Sequence, residues 1–287
     1  MSAETANSPP TNSSELMTSA LPVENRLNRL TNLCILYASR VLVFLVLTAV
    51  WWGIVKLGWV DPLFVSSPDR VAFFLVSTFR HELIPNTIAT LLATLIAFTL
   101  SGVLGILAGL VLVELPFLKK TVDPFLTAFN SMPRIALAPI FILWFGIGVT
   151  SKVALAFSLG FFIVLASTFA GMRNIDPVLL RLSRSLGCTG WQQFTKITLP
   201  WAIPSVFAGL KLALIYSFLG VVTSEMLASK VGLGQLIMYY SGVLRMDAVF
   251  GILLVMAVCA VILTIIADVI ETALLGSWTE PMQSTRG

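Results

Sequence analysis

Residues 174–200 read NIDPVLLRLSRSLGCTGWQQFTKITLP, a polar stretch that lies between two apolar blocks. Asp176 followed by Pro177 favours a helix start, because the Asp side chain can cap the first turn and proline lacks only an N–H that needs no partner there. Gly187 is suited to end that helix in a left-handed conformation. The stretch therefore predicts a short helix in a loop between two membrane spans.

The predicted helix is amphipathic. Leu179, Leu182 and Leu186 recur at helical spacing and form one apolar stripe. The residues predicted to point largely away from this stripe are Arg181, Ser183, Arg184 and Ser185. Two interpretations stay open: the helix lies on a membrane surface, or it docks into the groove of a partner. A turn and a second short helix, Trp191–Thr198, lead into the next span.

The rest of the chain is unusually apolar. Of its 287 residues, 57% are hydrophobic and 11% are charged, whereas a soluble domain carries about 25% charged residues. A transmembrane helix needs about 20 apolar residues, and the composition predicts an all-α integral membrane protein with about six such helices. The apolar blocks are Val41–Val55, Leu83–Val113, Pro124–Phe145 (which contains Pro133 and Pro139), Val153–Met172, Ile203–Thr223 and Ala248–Ala267.

The distribution of basic residues predicts the orientation. With the N-terminus inside, ten of the 18 Lys and Arg residues fall on inner segments and six on outer ones, while Arg134 and Lys211 lie inside spans. Because inner loops are enriched in Lys and Arg, both ends are expected in the cytoplasm. The outer six are Lys56, Arg70, Arg80, Lys152, Lys230 and Arg245. The net charge of +4 is attributed to the cytoplasmic loops, and no nucleic-acid binding is expected.

The expected organisation follows from these spans. The N-terminal segment is rich in Ser, Thr, Asn and Pro, lacks the basic start and apolar run of a secretory signal, and is expected to be disordered. The predicted units are a disordered cytoplasmic tail (1–32), a first transmembrane helix with an outer loop (33–80), a core of five helices (81–275) that includes the loop 174–198, and a cytoplasmic C-terminal tail (276–287).

The residues that catalysis or metal binding would need are scarce. The sequence has one histidine, His81, and three widely separated cysteines. No catalytic residue and no metal site is predicted. A membrane enzyme and a secondary transporter or channel are two classes that such an apolar chain could belong to. Both are disfavoured because the acidic residues lie at span ends or in loops, at Glu114, Asp123, Asp176, Glu225, Asp247, Asp268 and Glu271.

Two basic residues lie within the predicted spans. Arg134 lies roughly 15 Å into its block at 1.5 Å per residue, and an arginine in hydrocarbon costs at least about 2.5–3.5 kcal/mol. It is therefore expected to face a pathway, where Asn130 and Ser131 would add polar groups, or to anchor an interface. Lys211 is expected to have a structural role.

The loop also resembles a known sequence motif. Gly187, nine residues, Ile197, one residue, then Leu199 and Pro200 is similar to the second half of the "EAA" loop of ABC importer permeases. The first half departs from that motif, because Arg181-Leu182-Ser183 stands where Glu-Ala-Ala is expected. The glutamate that would form an ion pair with a partner is therefore missing.

Further segments narrow the resemblance to the nitrate/sulfonate/taurine (bicarbonate) subfamily, over roughly residues 80–275. They are Met132–Pro139 with Leu143–Gly148, Gly209-Leu210-Lys211, Ser224–Ser229, and Gly232–Ile237. The resemblance implies the MetI-like, type I importer architecture in a bacterial inner membrane. It also implies a second permease chain, expected to be a copy of this one, two ATP-binding subunits and an extracytoplasmic substrate-binding protein.

The resemblance also implies how transport is driven. Permeases of this family are not ATPases, and this sequence contains no G-x-x-x-x-G-K-[ST] phosphate loop. No cofactor is expected in this chain, since ATP and Mg²⁺ would bind the partner ATPase. The coupling residues implied are Asp176, Pro177, Leu179, Arg181, Leu182, Ser183, Arg184, Leu186, Gly187, Ile197, Leu199 and Pro200, with Gly187 and Pro200 as joints. The resemblance implies a small solute as substrate, and the substrates of this family are mostly anions.

Overall fold

A computed structural model of the chain describes the backbone of residues 23–283 and the side chains of residues 35–275 except Tyr37, Pro62, Pro116 and Asn130. Every regular element in this described part is helical. The α-helices are α1 (Val23–Lys56), α2 (Pro62–Val65), α3 (Pro68–Thr78), α4 (Ile84–Glu114), α5 (Pro116–Ser131), α6 (Ala138–Phe145), α7 (Val149–Arg173), α8 (Pro177–Ser185), α9 (Gly190–Gln193), α10 (Leu199–Leu227), α11 (Leu233–Gly242) and α12 (Met246–Gln283). Short π-helical stretches at Phe79–Leu83 and Phe194–Thr198 and a 3₁₀ turn at Arg134–Leu137 join neighbouring helices.

Within the described residues, five helical segments are long and apolar enough to cross a membrane, and a sixth crossing is possible if one bent pair counts as a span. This confirms the predicted all-α membrane fold with about six transmembrane helices. The second segment begins at Pro68, well before the predicted Leu83, because the π-helical stretch continues α3 into α4. The five segments are Ala38–Lys56, Pro68–Glu114, Val149–Arg173, Gly190–Leu227 and Met246–Leu275.

Helix α1 belongs to a separate compact unit, residues 1–60. It begins at Val23, inside the segment 1–32 that was expected to be disordered. The tail prediction for residues 1–22 lies outside the described residues. A helix satisfies its own backbone hydrogen bonds, so it can continue beyond its apolar block. At the other end of the chain, α12 likewise continues to Gln283, within the predicted C-terminal tail.

The centre of the second unit, residues 61–287, is built from α4, α7 and α10. Small residues let these helices approach closely, as is common where lipid offers no hydrophobic driving force between helices. A Cβ added at Gly105 of α4 would lie 2.8 Å from Cβ of Val164 in α7. One turn later, a Cβ added at Gly109 would lie 2.7 Å from Thr168. A fully buried group shared by the three helices consists of Ala93, Ala97, Ala156 and Val221.

A second group of buried residues joins the short helices to the long ones. Phe74 of α3 packs edge-on against Tyr240 of α11, with ring centroids 5.4 Å apart. Leu233 and Leu236 of α11 and Ile252 of α12 lie in the same cluster. Helix α11 is therefore packed into the unit on its apolar side.

The predicted third span is broken. Segments Phe117–Phe129 and Arg134–Phe145 meet at 84°. The break lies at Pro133, which has no N–H to donate and disfavours helical geometry at the residue before it. Met132 accordingly has an extended backbone, with φ −74° and ψ 135°. The span predicted as Pro124–Phe145 is thus two helices at an angle, and α6, at eight residues, is too short to cross a membrane alone.

The close approach of α4 and α7 predicts a stability effect. Gly105→Val is expected to lower the free energy of unfolding by about 1–3 kcal/mol, because the added atoms overlap Val164 and force the helices apart. Thermal unfolding in detergent measures the effect. Gly53→Ala in α1 is the control, since a Cβ there meets nothing within 4 Å. Equal melting temperatures for both variants would contradict the packing described.

Candidate functional sites

The segment between α7 and α10 forms the predicted short helix, and the structure confirms both of its ends. The Asp176 carboxylate accepts a hydrogen bond from the N–H of Val178 at 2.7 Å, and Pro177 occupies the first helical position. At the other end Gly187 has φ +76°, and the N–H of Cys188 donates to the carbonyl of Ser183 at 3.0 Å. Two specified ends make α8 a short helix with fixed limits.

The exposed face of α8 differs from the predicted stripe. Leu179, predicted to belong to the stripe, is half-buried, whereas Ser183, predicted to point away from the stripe, is 4% exposed. The apolar side chains that reach the surface are spaced four residues apart: Val178, Leu182 and Leu186 are 57%, 54% and 75% exposed. The correct stripe therefore runs at i, i+4 and i+8. The spacing alone did not reveal which side of the helix packs against the unit. Arg181 and Arg184 are exposed on the same helix.

The rest of the segment is helical without a break. The Thr189 side chain accepts from the N–H of Gln192, and the Gln192 side chain accepts from the N–H of Thr189. This reciprocal capping starts α9, which runs through the π-helical stretch into α10 as one helix, Gly190–Leu227. Of the two predicted joints, Gly187 lies where the helix ends, whereas Pro200 lies within continuous helix. Ile197 and Leu199 lie in the same continuous region.

The helix break places Arg134 at the start of the 3₁₀ turn. Its Nη1 donates to the carbonyl of Ser158 in α7 at 3.0 Å, and its guanidinium lies 4.3 Å from the ring centre of Phe162. These contacts secure the turn against α7. The guanidinium thus contacts polar and aromatic groups, which lowers the cost of placing an arginine in a membrane span.

Arg134 also lines an open cleft of about 460 Å³ between the helix break, α7 and α10. Arg134 is the one charged residue among the described residues that line the cleft. The lining residues are Met132, Pro133, Arg134, Ile135, Leu159, Ile163, Leu212 and Tyr216. The cleft is a mainly apolar cavity with one cation and one phenol at its wall, which suits a small anion that carries an apolar part.

The other predicted pathway residues are placed differently. The Ser131 hydroxyl donates to the carbonyl of Thr127 in its own helix at 2.9 Å, and Ser131 is absent from the cleft lining described. The side chain of Asn130 lies outside the described residues. Lys211 forms an ion pair with Asp268 of α12, which fits its predicted structural role.

The least expected group lies at the opposite ends of α7 and α10. Lys152, predicted to lie in an outer loop, is in the first turn of α7 and is 2% exposed. Its Nζ donates to Oε1 of Glu225, near the end of α10, at 3.0 Å, and Glu225 is 1% exposed. Neither residue was predicted to have a functional role. In the sequence, Lys152 is a basic residue just before one apolar block and Glu225 an acidic residue just after another. This placement does not reveal that the two side chains meet in the folded protein.

The same group holds the turn that follows α10. Lys152 also donates to the carbonyl of Val231 at 2.6 Å. The N–H of Gly232 donates to Oδ1 of Asn86 in α4 at 2.6 Å. The N–H of Leu233 donates to the Thr90 hydroxyl at 3.0 Å, and the N–H of Gly234 donates to Oε2 of Glu225 at 3.0 Å. We call Asn86, Thr90, Lys152 and Glu225 the far-end clamp.

Helix α11 has one more tie to the unit. Tyr240, 7% exposed, donates its hydroxyl to Glu82 at 2.8 Å. Burial, together with this hydrogen bond, raises the pKa of Tyr240 to about 12. The phenol therefore stays protonated and remains a donor at physiological pH.

Comparison with known proteins agrees with this geometry. Residues 101–276 match the family model described as binding-protein-dependent transport system inner membrane component. This region includes α7, α8, α10 and the cleft.

Two relatives illustrate the range of the family. The chain is 29% identical to the taurine transport system permease protein TauC of Escherichia coli, over 76% of this chain and 82% of that protein. It is 32% identical to the riboflavin transport system permease protein RibX of Chloroflexus aurantiacus, over 81% of this chain and 88% of that protein.

The fold is also found in a solved structure. The MetNI methionine ABC transporter in an inward-facing conformation matches with a TM-score of 0.58 at 20% identity, covering 67% of this chain and 95% of the matched chain. At this identity the likeness supports the fold alone.

The buried ion pair predicts a strongly non-additive effect on stability. Glu225→Leu alone is expected to lower the free energy of unfolding by about 3–5 kcal/mol, because Lys152 keeps an uncompensated buried charge. The double variant Lys152→Met/Glu225→Leu is expected to cost less than the sum of the two single variants. Unfolding in a denaturing detergent series measures the cycle, and additive losses would contradict the pairing.

Proposed function

Since the chain belongs to the family of binding-protein-dependent transport system inner membrane components, we propose that it carries a small organic anion, of the sulfonate type, as one half of a homodimeric permease. The chain is a multi-pass permease subunit of an ABC importer, and it is a transport component rather than an enzyme. The family implies partner ATPase subunits and a substrate-binding protein. The secondary-transporter alternative finds no support in these relatives.

ATP and Mg²⁺ are assigned to the separate ATPase subunits. The sequence has no phosphate loop of its own, so the energy has to arrive through a contact between proteins. This proposal therefore requires a surface on the permease that receives the motion of the ATPase pair.

The observation that carries this assignment is the exposed apolar stripe of α8. Val178, Leu182 and Leu186 are more than half exposed on a helix whose two ends are both capped. A short helix with an exposed apolar row fits a groove on a partner. Helix α8 follows α7 and precedes the continuous helix Gly190–Leu227, so a push on α8 acts on two long helices at once.

The transport cycle then follows from rigid packing. Closure of the ATPase pair on its nucleotide would move α8 as a body, and α7 and α10 would move with it between two states. Small residues hold α4 and α7 together, so α4 is expected to move in concert. Gly187, where α8 ends, is the residue best placed to absorb a change in angle.

The choice of an anion rests on Arg134. Its guanidinium donates to two carbonyl groups of α7, and these hydrogen bonds orient it at the wall of the cleft. A guanidinium at the wall favours a solute with a negatively charged group, because charge-assisted hydrogen bonds to a sulfonate or carboxylate are strong. Taurine, the solute in the name of one relative, carries a sulfonate, and this agrees with the proposal.

A second copy of the chain would complete the cleft. The cavity is open on one side, so a single chain encloses a solute only in part. Two copies that face each other would close the opening and present two arginines. Lipid would surround the remaining apolar surface, and the loop with α8 would lie on the cytoplasmic side, as the distribution of basic residues predicts.

The docking role is tested by charge substitution on the stripe. Leu182→Glu and Leu186→Glu are each expected to reduce copurification of the ATPase subunit at least tenfold, because a carboxylate would be buried in an apolar contact. Leu182→Met and Leu186→Met keep the surface apolar and are the matched controls. The purified chain alone should hydrolyse no ATP. Undiminished copurification of the Glu variants would refute the docking surface.

The anion preference is tested at Arg134. Arg134→Gln is expected to reduce uptake of an alkanesulfonate into proteoliposomes containing the full transporter about tenfold, since the cation at the cleft wall is lost. Arg134→Lys keeps the charge and should retain part of the activity. Taurine, a zwitterion with a sulfonate group, and riboflavin complete the panel of solutes. Equal uptake of the alkanesulfonate by Arg134→Gln and the unmodified chain would exclude anion selection by this residue.

A further inference from the structure

We propose that Lys152 and Glu225 are positioning residues of the transport cycle, through which the far-end clamp makes the turn Ala228–Gly232 and helix α11 move together with α4, α7 and α10. This inference rests on the proposed function, because it assumes that α7 and α10 are driven from the α8 end. It assigns a mechanical task to a buried charge pair that the docking surface and the cleft do not use.

The clamp engages an uninterrupted run of backbone. The carbonyl of Val231 and the N–H groups of the next three residues, Gly232, Leu233 and Gly234, each bind a clamp side chain. The clamp residues come from three different helices, α4, α7 and α10. A turn held at four consecutive residues from three directions has one position relative to those helices, and it cannot shift unless they shift.

Glycine at position 232 is required by this arrangement. Its φ of +125° is a conformation that other residues rarely adopt. A Cβ added there would also overlap the carboxylate of Glu225. The carboxylate therefore lies directly against the backbone of the turn, and no side chain separates them.

The clamp lies at the other end of the helices that α8 joins. Lys152 is in the first turn of α7, whereas α8 follows the last turn, about 30 Å away at 1.5 Å per residue. Glu225 is likewise near the end of the continuous helix that begins at Gly190. A motion applied at α8 therefore has two helical paths to the same turn, and both paths end in a charged group of the clamp.

The surface that the clamp positions is suited to contact with a partner. Beyond the buried groups, apolar side chains of the turn and α11 are exposed, and Lys230 and Arg245 are nearby in sequence. The exposed apolar residues are Leu227, Val231, Met238, Tyr239 and Val243. The partner we assign to this surface is the substrate-binding protein, since this end lies opposite the proposed ATPase contact and is predicted to face outward.

A charge pair suits this task better than apolar packing. Buried apolar side chains can repack with modest shifts, whereas a buried ion pair is stable only in the geometry that satisfies both charges. The far-end clamp thus has one satisfied arrangement. A movement of α7 and α10 therefore displaces the turn and α11 by the same amount. Binding of the substrate-binding protein to the turn and α11 acts in reverse on α7 and α10, and through them on the ATPase.

The test uses the assembled transporter, with permease, ATPase subunits and substrate-binding protein, in nanodiscs and proteoliposomes. Glu225→Gln and Lys152→Met are expected to lower the yield of complex, because each leaves one buried charge uncompensated. The complexes that do assemble should keep the basal ATP hydrolysis per complex. Stimulation of hydrolysis by the solute-loaded binding protein, and uptake per ATP hydrolysed, should each fall about tenfold. Glu225→Asp keeps the charge and should restore part of both.

Two further variants separate positioning from simple stability. Leu263→Ala lies in a buried cluster of α10 and α12 away from the clamp. It should reduce the yield of complex while leaving the stimulation ratio unchanged. Gly232→Ala keeps both charges but crowds Glu225, and it should lower the stimulation ratio as Glu225→Gln does. This variant serves if the charge variants fail to fold.

The outcomes distinguish the inference from its premise. A normal stimulation ratio in assembled Glu225→Gln and Gly232→Ala complexes would overturn the positioning role. A parallel fall of assembly, basal hydrolysis and stimulated hydrolysis in the clamp variants would also overturn it. That pattern leaves the stimulation ratio unchanged and is the one expected of lost stability alone, as in Leu263→Ala. An unmodified chain that does not assemble with an ATPase would instead refute the proposed function.

Discussion

The close contact of α4, α7 and α10 is the constraint on which the rest of the second unit depends. In lipid, helices gain little from burying apolar side chains against one another, so small residues that allow close approach supply the packing. Gly105 and Gly109 give α7 this approach, and Ala93, Ala97, Ala156 and Val221 fill the shared centre. Because these helices cannot separate easily, whatever is attached to their ends is mechanically connected.

The charge pairs are located where that connection needs a fixed geometry. Lys152 and Glu225 are buried and join two long helices at one end, whereas the partly exposed pair of Lys211 and Asp268 joins α10 to α12. The buried pair carries a desolvation penalty that apolar side chains would avoid. Such pairs are weak sources of stability, but they define how two helices are placed. Arg134 has a different place, since it donates to carbonyl groups of α7 and lines the cleft.

The sequence predicted the features that depend on local order. The start of α8 at Asp176 and Pro177, its end at Gly187, and the apolar spans all follow from residues adjacent in the chain. The stripe of α8 was assigned wrongly in part, because the packed side of a helix is set by neighbours that periodicity does not identify. Leu179 is half-buried for that reason, and Val178 takes its place in the exposed stripe. The clamp was invisible since its members, from Asn86 to Glu225, come from three helices and only meet once these have packed.

The broken third span shows how a local sequence signal acquires a meaning only in three dimensions. Pro133 predicts an interruption in any context, but a break in the chain is not yet a site. It becomes one because α7 supplies carbonyl acceptors and an aromatic ring that hold Arg134, while α10 supplies the opposite wall. The two helices that form the cleft with the break are the same two that α8 connects. A displacement of α8 would therefore alter the width of the cleft and the position of the far-end turn together, which is the coupling an importer requires.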